Sequence, residues 1–563
     1  MSKIWNIKAS SPTLRDKLSQ SLGIHPIISQ LLINRSIEDP DEARQFLNAD
    51  LNSLHDPFLM KGMHKAVERI HLAVQNKERV LVFGDYDVDG VTSSVILNKA
   101  LTKLGLDLVH HIPHRMTDGY GLNHEIAESA FQQKVSLLIT IDCGITAYDE
   151  VESIRKKGID VIIIDHHEPS DGDLPNAVAI INPKQKDCPY PFKDLASVGL
   201  ALKISSALTN QVDKDLLCFA ALGTVADVVP LKGENRTLVY FGLKSIHETN
   251  NIGLRALVKS AKIKKGPITP FHIGFILGPR INAAGRMGTA ETSLNLFLSD
   301  DETRVENLAK ELEVHNLERQ KMQNDTIAEA IDIVEEQINF KDQKVIVLNK
   351  EGWHKGVLGI VASRLTDKYF RPSIVISTKE GIGTASCRSI DGFHIQNALQ
   401  ECRGVLENYG GHEGAAGLTI KQDQIDPFRE MINTVAQRIL EIKKLIPAIS
   451  IESEIPLNQV DIKLADTIES MQPFGEGNPQ PIFCSKGVTV KSYPQILGKA
   501  TLKFWIEQGG ETISAVGFGM EKFAGLIRPG EKIDLAYEIS IDDWNKAPQA
   551  QLRLKDIKLS DEN

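Results

Sequence analysis

The most informative segment of the chain is residues 79–90, which read RVLVFGDYDVDG. Its apolar first part, residues 79–83, predicts a short strand. An acidic turn follows, and a helical pattern then runs from about residue 91 to residue 104 and ends at Gly105. A buried strand that leads through a charged turn into a helix is the repeating unit of α/β proteins.

The same unit returns further along the chain. Residues 136–141 and 160–164 are apolar runs, and a helical segment at residues 147–157, stopped by Gly158, lies between them. Continuous Val, Ile and Leu strands that alternate with helices are typical of a parallel sheet buried on both faces. The sequence therefore predicts an α/β domain built on a parallel sheet.

Acidic and imidazole side chains stand where these strands end. Ligands bind to parallel sheets at the carboxyl ends of the strands, so we expect these side chains to converge. Asp227 adds a single acid in an otherwise apolar stretch, where a buried carboxylate requires a partner such as a metal ion. The candidate set is Asp85, Asp87, Asp89, Asp142, His166, His167 and Asp227.

This set consists mainly of oxygen ligands, which suits Mn²⁺ or Mg²⁺ better than structural zinc. Clustered carboxylates repel one another unless a cation lies among them. An EF-hand calcium loop is excluded, because Ile96 occupies the position of its closing Glu and a strand precedes the loop. The candidates outnumber the ligands of one ion, so we expect two ions, the arrangement used for in-line displacement at phosphorus. A solvated acidic turn and a capping or salt-bridged Asp227 are the alternatives that the residues alone leave open.

The rest of the chain is organised differently. A charged segment from Asp301 to about Ile338 contains no Gly or Pro and predicts one long helix that links two domains. A second α/β unit follows to about residue 440 and is rich in glycine at residues 410–417. Beyond about residue 448, alternating segments broken by Gly and Pro indicate a small antiparallel barrel or sandwich.

Length and composition limit the class of protein. A chain of 563 residues is too long to fold around one ordinary hydrophobic core. A composition of 42% hydrophobic and 25% charged residues is typical of a soluble globular chain. No apolar run approaches the ~18 residues of a membrane helix. The six cysteines are at least fifteen residues apart, so a cytoplasmic protein without disulfides, structural zinc or membrane contact is expected.

The charge distribution bears on nucleic-acid binding. A net charge of −10 excludes a protein coated in positive charge for duplex DNA. Between Gly253 and Ala290, however, there is no Asp or Glu, and Phe271 and Phe275 lie among the cations. Cations suit phosphates and rings suit bases, as single-stranded nucleic acid requires, although a solvated basic face is the commoner explanation. The cations are Arg255, Lys259, Lys262, Lys264, Lys265, Arg280 and Arg286.

Six motifs in order resemble those of the DHH phosphoesterases and, within them, the single-strand-specific exonucleases of the RecJ family. Asp-His-His alone is a weak signal, but the ordered set is specific and covers roughly residues 50 to 560. Val88 stands where many members have Ala, which leaves the ligands unchanged. The motifs are GDYDVDG at 84–90, IDCG at 141–144, DHH at 165–167, GTVAD at 223–227, RINAAGR at 280–286 and GGH at 410–412.

The resemblance implies an architecture in five parts. A parallel-sheet DHH domain and a smaller α/β DHHA1 domain are joined by the long helix, and an OB-fold β-barrel follows. The implied boundaries are an N-terminal segment at 1–50, the DHH domain at 51–300, the linker helix at 301–340, the DHHA1 domain at 341–445 and the OB-fold at 446–563.

The resemblance also implies residue roles and partners. Asp142 bridges the two ions, His167 donates to a substrate phosphate oxygen, and Asp165 orients a ligand histidine. Single-stranded DNA is the substrate, a helicase and a single-stranded-DNA-binding protein are partners, and the chain is a monomer. The implied metal ligands are Asp85, Asp87, Asp89, Asp142, His166 and Asp227, and the implied DNA or 5′-phosphate contacts are Arg115, Arg280, Ser386, Arg388 and His412.

The predicted function is a metal-dependent 5′-to-3′ exonuclease that degrades single-stranded DNA to 5′-mononucleotides in recombination and repair. One alternative gives the same metal site a small substrate, such as pyrophosphate, a short oligoribonucleotide or a cyclic dinucleotide. Another is a non-catalytic strand-binding replication subunit, but such relatives lose metal ligands, whereas every ligand position is filled here.

Overall fold

The computed structural model describes residues 3–115, 118–119, 121–170, 172–264, 266–441, 445–498, 500–542 and 548–560. Lys265 of the basic segment lies outside these ranges. Within them, no helix combines the length and the apolar character needed to cross a membrane.

The chain begins with a short strand and three helices that precede the first large sheet. Asp39 caps the third helix through its side chain, which accepts from the backbone N–H groups of Asp41 and Glu42. These elements are β1 (Ile4–Ile7), α1 (Pro12–Leu22), α2 (Pro26–Ile33) and α3 (Pro40–Leu47).

The first module is a parallel sheet covered by helices on both faces, as the sequence predicts. Its five strands lie in the spatial order β3-β2-β4-β5-β6, and each strand pairs in parallel with its neighbours. The strands are β2 (Arg79–Gly84), β3 (Asp107–His111), β4 (Leu137–Ile141), β5 (Asp160–Ile164) and β6 (Ala179–Ile181). The helices are α4 (Met63–Asn76), α5 (Val88–Lys103), α6 (His124–Gln132), α7 (Tyr148–Lys156), α8 (Ser197–Thr209), α9 (Leu217–Ala226), α10 (Gly233–Ser245), α11 (Ile252–Ser260), α12 (Pro270–His272), α13 (Gly278–Met287) and α14 (Glu291–Leu298).

The register of this sheet aligns the strand ends. Gly84 pairs with Ile141, and Ile141 pairs with Ile164. The ladder continues one residue further, because the backbone N–H of Asp85 donates to Ile141 and that of Asp142 donates to Ile164. The residues that follow three central strands therefore lie side by side at one edge.

One predicted boundary in this module is wrong. The sequence places the start of the helix after the acidic turn at about Val91, but α5 begins at Val88 with Asp87 as its N-cap. The Asp87 side chain accepts a hydrogen bond from the Gly90 N–H at 3.0 Å, which starts the helix three residues early. Asp89 therefore lies in the first helical turn and not in a loop.

A single long helix, α15 (Glu302–Gln337), links the first two modules, as predicted. Its 36 residues span about 54 Å at ~1.5 Å per residue. Val305 and Leu312 in its first part belong to the apolar core of the first module, while Ala330 and Val334 belong to a core shared with the second module. The helix is therefore packed at both ends.

The second module is a smaller α/β unit with a mixed sheet. Its strands lie in the order β10-β11-β9-β8-β7, and only the β7–β8 pairing is parallel. Its elements are β7 (Ile346–Glu351), α16 (Leu358–Tyr369), β8 (Ser373–Lys379), β9 (Ile382–Arg388), α17 (Ile395–Glu401), β10 (Asn408–Gly411), β11 (Ala415–Lys421) and α18 (Ile425–Ile439).

The C-terminal module is rich in strands, as predicted. Its seven-stranded sheet has the order β13-β14-β18-β19-β17-β16-β15, with a further pairing of β14 to β16. Closure into a barrel stays a prediction. The elements are β12 (Ala448–Ile451), β13 (Ser453–Glu454), α19 (Ile462–Glu469), β14 (Phe483–Val490), β15 (Gln495–Leu497), β16 (Thr501–Gln508), β17 (Glu511–Phe518), β18 (Lys532–Asp542) and β19 (Gln549–Leu559).

The N-terminal segment packs on this C-terminal module. Strand β1 pairs in parallel with β12, and Ile28 and Leu31 of α2 share an apolar core with Phe504 and Leu535. The pairing joins residues more than 440 positions apart, as Ile4 pairs with Ala448. No local sequence pattern predicts such a contact.

A buried arginine holds this junction together. The Arg35 guanidinium donates to Asn478 at 2.7 Å, to the Leu31 carbonyl at 2.8 Å and to the Pro479 carbonyl at 2.7 Å. It also lies 3.6 Å from the carboxylate of Glu452, and both side chains are almost fully buried. Without Arg35, the buried carboxylate of Glu452 would lose a compensating positive charge.

We expect Arg35→Ala to lower the free energy of unfolding by about 3 kcal/mol, because it breaks a buried ion pair. Arg44→Ala is the matched control, since Arg44 pairs with Asp41 at the surface and its loss should cost less than about 0.5 kcal/mol. Urea unfolding followed by tryptophan fluorescence measures both. Equal effects of the two substitutions would contradict the assigned role of Arg35.

Candidate metal centre

The acidic turn after β2 is shaped by a glycine that no other residue can replace without movement. A Cβ at Gly90 would lie 2.4 Å from the carbonyl oxygen of Asp85, well inside contact distance. The close approach folds the turn back on itself, so that ligand atoms of Asp85 and Asp87 lie within 4.8 Å of each other and of Asp142.

Two backbone N–H groups and a hydroxyl at the start of α8 fix the central carboxylates. The N–H groups of Ser197 and Val198 donate to the two oxygens of Asp89 at 2.8 and 2.9 Å. The Ser197 hydroxyl donates to Asp142 at 2.8 Å. Carboxylates at a helix N-terminus are stabilised by these unsatisfied donors. A Cβ at Gly223 would lie 2.6 Å from Asp89, so α9 also requires a glycine at its contact with the cluster.

Two of the acids lie at, or directly before, a residue with a strained backbone conformation. Asp142 has a φ of 65°, and Val228, which directly follows Asp227, has a φ of 61°. The left-handed region is unfavourable for residues other than glycine, most of all for a β-branched residue. Such strain persists where the surrounding structure enforces it and is common at functional sites.

His166 joins the carboxylates that come from different parts of the chain. Its Nε2 lies 3.5 Å from Asp142 and 3.5 Å from Asp227. Groups whose ligand atoms lie within 4.8 Å of one another are Asp85, Asp87 and Asp142; Asp89, His166 and Asp227; and Asp142, His166 and His167. The structure thus brings all seven candidate ligands together at one edge of the first sheet.

The two histidines of the Asp-His-His motif have different partners. Asp165 contacts Nδ1 of His167 at 2.7 Å and accepts from the His167 backbone N–H at 3.0 Å. Its other oxygen accepts from the Ile145 N–H at 3.0 Å. The sequence interpretation has Asp165 orient a ligand histidine, but in the structure it holds His167, because the turn directs residue 167 back onto the carboxylate two positions earlier.

Burial and mutual repulsion raise the pKa values of the clustered acids. Burial and the charge of Asp87 raise the pKa of Asp85 to about 8 and that of Asp227 to about 7. Burial, together with the charge of Asp227, raises the pKa of Asp89 well above its ordinary value, and burial with the charge of Asp89 does the same for Asp142. Carboxylates in such a cluster ionise fully only when a cation compensates them.

The pKa values of the histidines diverge. Burial and the neighbouring His167 lower the pKa of His166 to about 3, which keeps its imidazole neutral and able to act as a ligand. Burial also lowers the pKa of His167, but the hydrogen bond and charge of Asp165 outweigh it, and the pKa of His167 lies above 6.5. The two imidazoles therefore differ in how readily they hold a second proton.

These residues could hold divalent cations. Among the described residues, Asp85 Oδ1 and His166 Nε2 are buried without a hydrogen-bond partner, which is costly unless a ligand satisfies them. Both atoms belong to the cluster, and its mixture of carboxylate oxygens and imidazole nitrogen suits Mn²⁺ and Mg²⁺.

An arginine pocket lies beside the cluster, between the first and second modules. The Arg115 guanidinium lies 4.8 Å from the ring centre of Tyr86, inside the acidic turn. Arg388 contacts the hydroxyl of Ser386 at 3.3 Å on β9. The two arginines are close enough for Arg115 to lower the pKa of Arg388, after the larger effect of burial. A Cβ at Gly359 would lie 3.0 Å from Arg388 and 3.1 Å from Ser386. The glycine therefore lets these two side chains approach α16 closely.

Arg286 extends this pocket. It donates to the Gly356 carbonyl at 2.7 Å, and burial, followed by Arg115, Arg319 and Arg388, lowers its pKa to about 10. Among the described residues, none of Arg115, Arg286 and Arg388 forms an ion pair with a carboxylate, so these neighbouring guanidinium groups suit an anion. From the sequence, Arg286 belongs only to the basic segment and to one motif, because its proximity to Arg388 depends on the packing of two modules.

The remaining predicted DNA contacts are placed differently. Arg280 donates to Glu313 of α15 at 2.7 and 3.3 Å, so its charge is already compensated. His412 is exposed in the turn between β10 and β11, and Ala415, the first residue of β11, pairs with Arg388. Their contact with DNA stays a prediction.

We expect the stability of the metal-free protein to fall as the pH rises from about 4 to about 8. Asp85 and Asp227 have folded-state pKa values of about 8 and about 7. The unfolded chain loses these protons near pH ~4, so the folded state binds more protons across this window, and stability decreases with pH. Mn²⁺ replaces those protons, so its stabilising effect should grow with pH.

Thermal melting in EDTA or Mn²⁺ across this pH range measures both effects. Asp142→Asn is the matched variant, because it removes one repelling carboxylate and should flatten the pH dependence. A metal-free melting temperature that rises with pH by the same amount in both proteins would contradict the assigned repulsion.

The comparisons with known proteins cover all three modules. The family models described as the DHH family, N-terminal domain, the DHHA1 domain and the RecJ OB domain match residues 79–224, 342–438 and 451–556, respectively.

Two named relatives extend over nearly the whole chain. The chain is 38% identical over 560 residues to the single-stranded-DNA-specific exonuclease RecJ of Bacillus subtilis, covering 99% of this chain and 71% of that protein. It is 33% identical over 569 residues to the protein of the same name from Haemophilus influenzae, covering 97% and 98%.

The fold matches solved structures of RecJ from Thermus thermophilus. The complex with Mn²⁺ has a TM-score of 0.85 at 27% identity, covering 99% of this chain and 80% of that one. The complex with Mg²⁺ has a TM-score of 0.79 at 26% identity, covering 99% and 79%. With this agreement in sequence over the full length and in fold, the chain belongs to the RecJ family of single-stranded-DNA-specific exonucleases.

Proposed function

We propose that this chain is a metal-dependent exonuclease that degrades single-stranded DNA from the 5′ end to 5′-mononucleotides, in DNA recombination and repair. One observation carries the proposal: a buried cluster of carboxylates and an imidazole adjoins arginines that form no ion pair with a carboxylate in the described part of the chain. The cluster suits divalent cations and the pocket suits a phosphate, so a phosphodiester between them is the substrate that both halves recognise.

The cation site divides into two halves that share a carboxylate. One group of neighbouring ligand atoms contains Asp85, Asp87 and Asp142, and another contains Asp142, His166 and His167. We assign two Mn²⁺ or Mg²⁺ ions to this cluster, which Asp85, Asp87, Asp89, Asp142, His166 and Asp227 would hold. When bound, such ions lower the pKa of water and stabilise negative charge at phosphorus.

His167 has a separate role in this proposal. Asp165 fixes its Nδ1 and raises its pKa relative to burial alone, so Nε2 keeps a proton at the edge of the cluster. That proton is placed to donate to a phosphate oxygen, which stabilises charge that develops during cleavage.

Polarity comes from the arginine pocket. Arg115, Ser386 and Arg388 supply guanidinium and hydroxyl donors for the oxygens of a 5′-terminal phosphate. The pocket has a fixed position relative to the cation site, because Arg286 links α13 to the Gly356 carbonyl of the second module. A terminal phosphate held there aligns one phosphodiester at a time, which yields mononucleotides.

The C-terminal module extends the contact with the strand. Tyr493, Trp505 and Phe518 are exposed aromatic residues on it, and the Arg553 guanidinium lies 5.1 Å from the ring of Phe518. Aromatic faces and cations are the means by which OB-folds bind single strands. A helicase that opens duplex DNA and a single-stranded-DNA-binding protein would supply the substrate to a monomer of this chain in the cytoplasm.

The two alternative functions find less support. A small phosphate ester requires no second strand-binding module, and a non-catalytic subunit would not need seven intact candidate ligands at one edge. Digestion of an end-labelled single strand of about 30 nucleotides, beside pyrophosphate and a cyclic dinucleotide, separates these functions. Stepwise release of mononucleotides from the 5′ end in Mn²⁺ supports the proposal, and preferential cleavage of a small substrate contradicts it.

We expect Asp142→Asn to reduce nuclease activity by at least about 1000-fold, because it removes the carboxylate shared by both halves of the cation site. Metal-free stability should stay equal or rise, since a repelling buried charge is lost. The exposed Asp300→Asn variant is the control and should keep full activity. Substantial nuclease activity of Asp142→Asn in Mn²⁺ would count against the site.

We expect Arg388→Ala to lower kcat/KM for a 5′-phosphorylated strand by about 10- to 100-fold, the usual value of charge-assisted hydrogen bonds. Its effect on a 5′-hydroxyl strand should be small, because that end lacks the group that Arg388 binds. Arg403→Ala, an exposed arginine in the same module, is the control. Equal losses on both strands would show that Arg388 supports the fold rather than the terminal phosphate.

A further inference from the structure

We propose that Phe271 and Phe275 form a stacking site for the bases of single-stranded DNA outside the cation site. The inference rests on the proposed function for the identity of the strand. It adds a base-binding subsite that is formed by neither the metal ligands nor the arginine pocket nor the C-terminal module.

The two rings are exposed and nearly parallel. Phe271 is 61% exposed and Phe275 is 73% exposed. Their ring centres lie 5.0 Å apart, and the planes differ by 26°. Single exposed apolar residues are ordinary, but two large rings stacked on each other in solvent present flat apolar faces that a third planar group can cover.

An unusual backbone holds the pair. Phe271 lies in α12, and Phe275 lies in a π-helical segment, Ile273–Leu277, that connects α12 to α13. The Thr269 N–H donates to the His272 side chain at 3.1 Å, which fixes the start of this segment. π-helical turns are rare and occur frequently at functional sites.

The segment adjoins the wall of the cation site. A Cβ at Gly278, three residues after Phe275, would lie 3.8 Å from Ala226 and 3.8 Å from Val88. Ala226 precedes Asp227, and Val88 lies between two of the acids that follow β2. Along the chain, Phe275 is therefore about one helical turn from that wall, and Phe271 is about two turns from it.

Charge favours a nucleic-acid strand over an acidic protein face or a free apolar segment. No Asp or Glu occurs between Gly253 and Ala290, and Lys262 and Lys264 precede the rings. A polyanion can approach without repulsion from this stretch. The rings also lie in the segment that contacts the wall of the cation site at Gly278.

Stacking suits this enzyme because it does not select a sequence. Every base offers a π face, and one base stacked on an aromatic ring contributes about 5- to 150-fold in affinity. A strand that shifts by one nucleotide after each cut would present the next base to the same rings. We therefore expect the pair to support binding of strands several nucleotides long and not of a dinucleotide.

The test uses single strands with 2-aminopurine at successive positions from a phosphorylated 5′ end, because stacking quenches its fluorescence. Binding is measured in Asp142→Asn protein, which leaves the strand intact. We expect quenching confined to one or two neighbouring positions, lost in Phe271→Leu/Phe275→Leu, which keeps apolar bulk but removes the rings. Phe275→Tyr should retain the quenching.

In the otherwise unchanged chain, the double Leu variant should lower kcat/KM on a strand of about 20 nucleotides by at least 5-fold, the lower end of the stacking range. Its kcat/KM on a 5′-phosphorylated dinucleotide should stay unchanged. Phe131→Leu is the matched control, since Phe131 is 55% exposed on α6 and should affect neither substrate.

The outcomes separate this inference from the proposed function. If the wild-type chain degrades the strand but the double Leu variant binds and cleaves it equally well, the stacking site is wrong and the exonuclease stands. If the losses are equal on the strand and the dinucleotide, the rings support the fold and the inference is overturned. A wild-type chain that does not cleave the strand in Mn²⁺ overturns both.

Discussion

Repulsion among carboxylates held away from water is the interaction on which the site depends. Asp85 and Asp142 follow parallel strand ends whose register leaves them side by side, and Asp89 lies in the first turn of α5. The fold tolerates this arrangement because backbone donors at the start of α8 compensate part of the charge and because glycines allow the close approach. The remaining repulsion raises pKa values and makes the cluster a strong acceptor for divalent cations.

In the arginine pocket it is positive charges that are held close to one another. Arg115 and Arg286 come from the first module, and Arg388 comes from the second. Like charges approach at this junction because α15 is packed into the cores of both modules and fixes their distance. The carboxylate cluster and the arginine pocket are thus neighbours of opposite charge, since Arg115 also lowers the pKa of Asp85, against the larger effects of burial and Asp87. The two sites are complementary only in the assembled protein.

The ends of the chain add a second long-range constraint. Strand β1 pairs with β12, and the buried Arg35 connects the first helices to the C-terminal module. Arg236 of α10 donates to the carbonyls of Phe46 and Met471 at 2.8 Å each, so the first module is attached at the same junction. The C-terminal module is therefore anchored to the first module by buried hydrogen bonds as well as by the chain itself.

Sequence alone determined the parallel α/β sheet, the long helix, the strand-rich C-terminal part and the seven candidate ligands. Periodicity and the residue type at strand ends are local properties, and parallel strands place their carboxyl ends together by construction. Capping by Asp87 moved the start of α5 from its predicted position. The turn after Asp165 places His167, and not His166, in contact with the Asp165 carboxylate. Only the tertiary structure paired Arg280 with Glu313, brought Arg286 close to Arg388 and joined β1 to β12. These contacts link residues from about 30 to more than 400 positions apart, and no local pattern encodes which distant partner a side chain will meet.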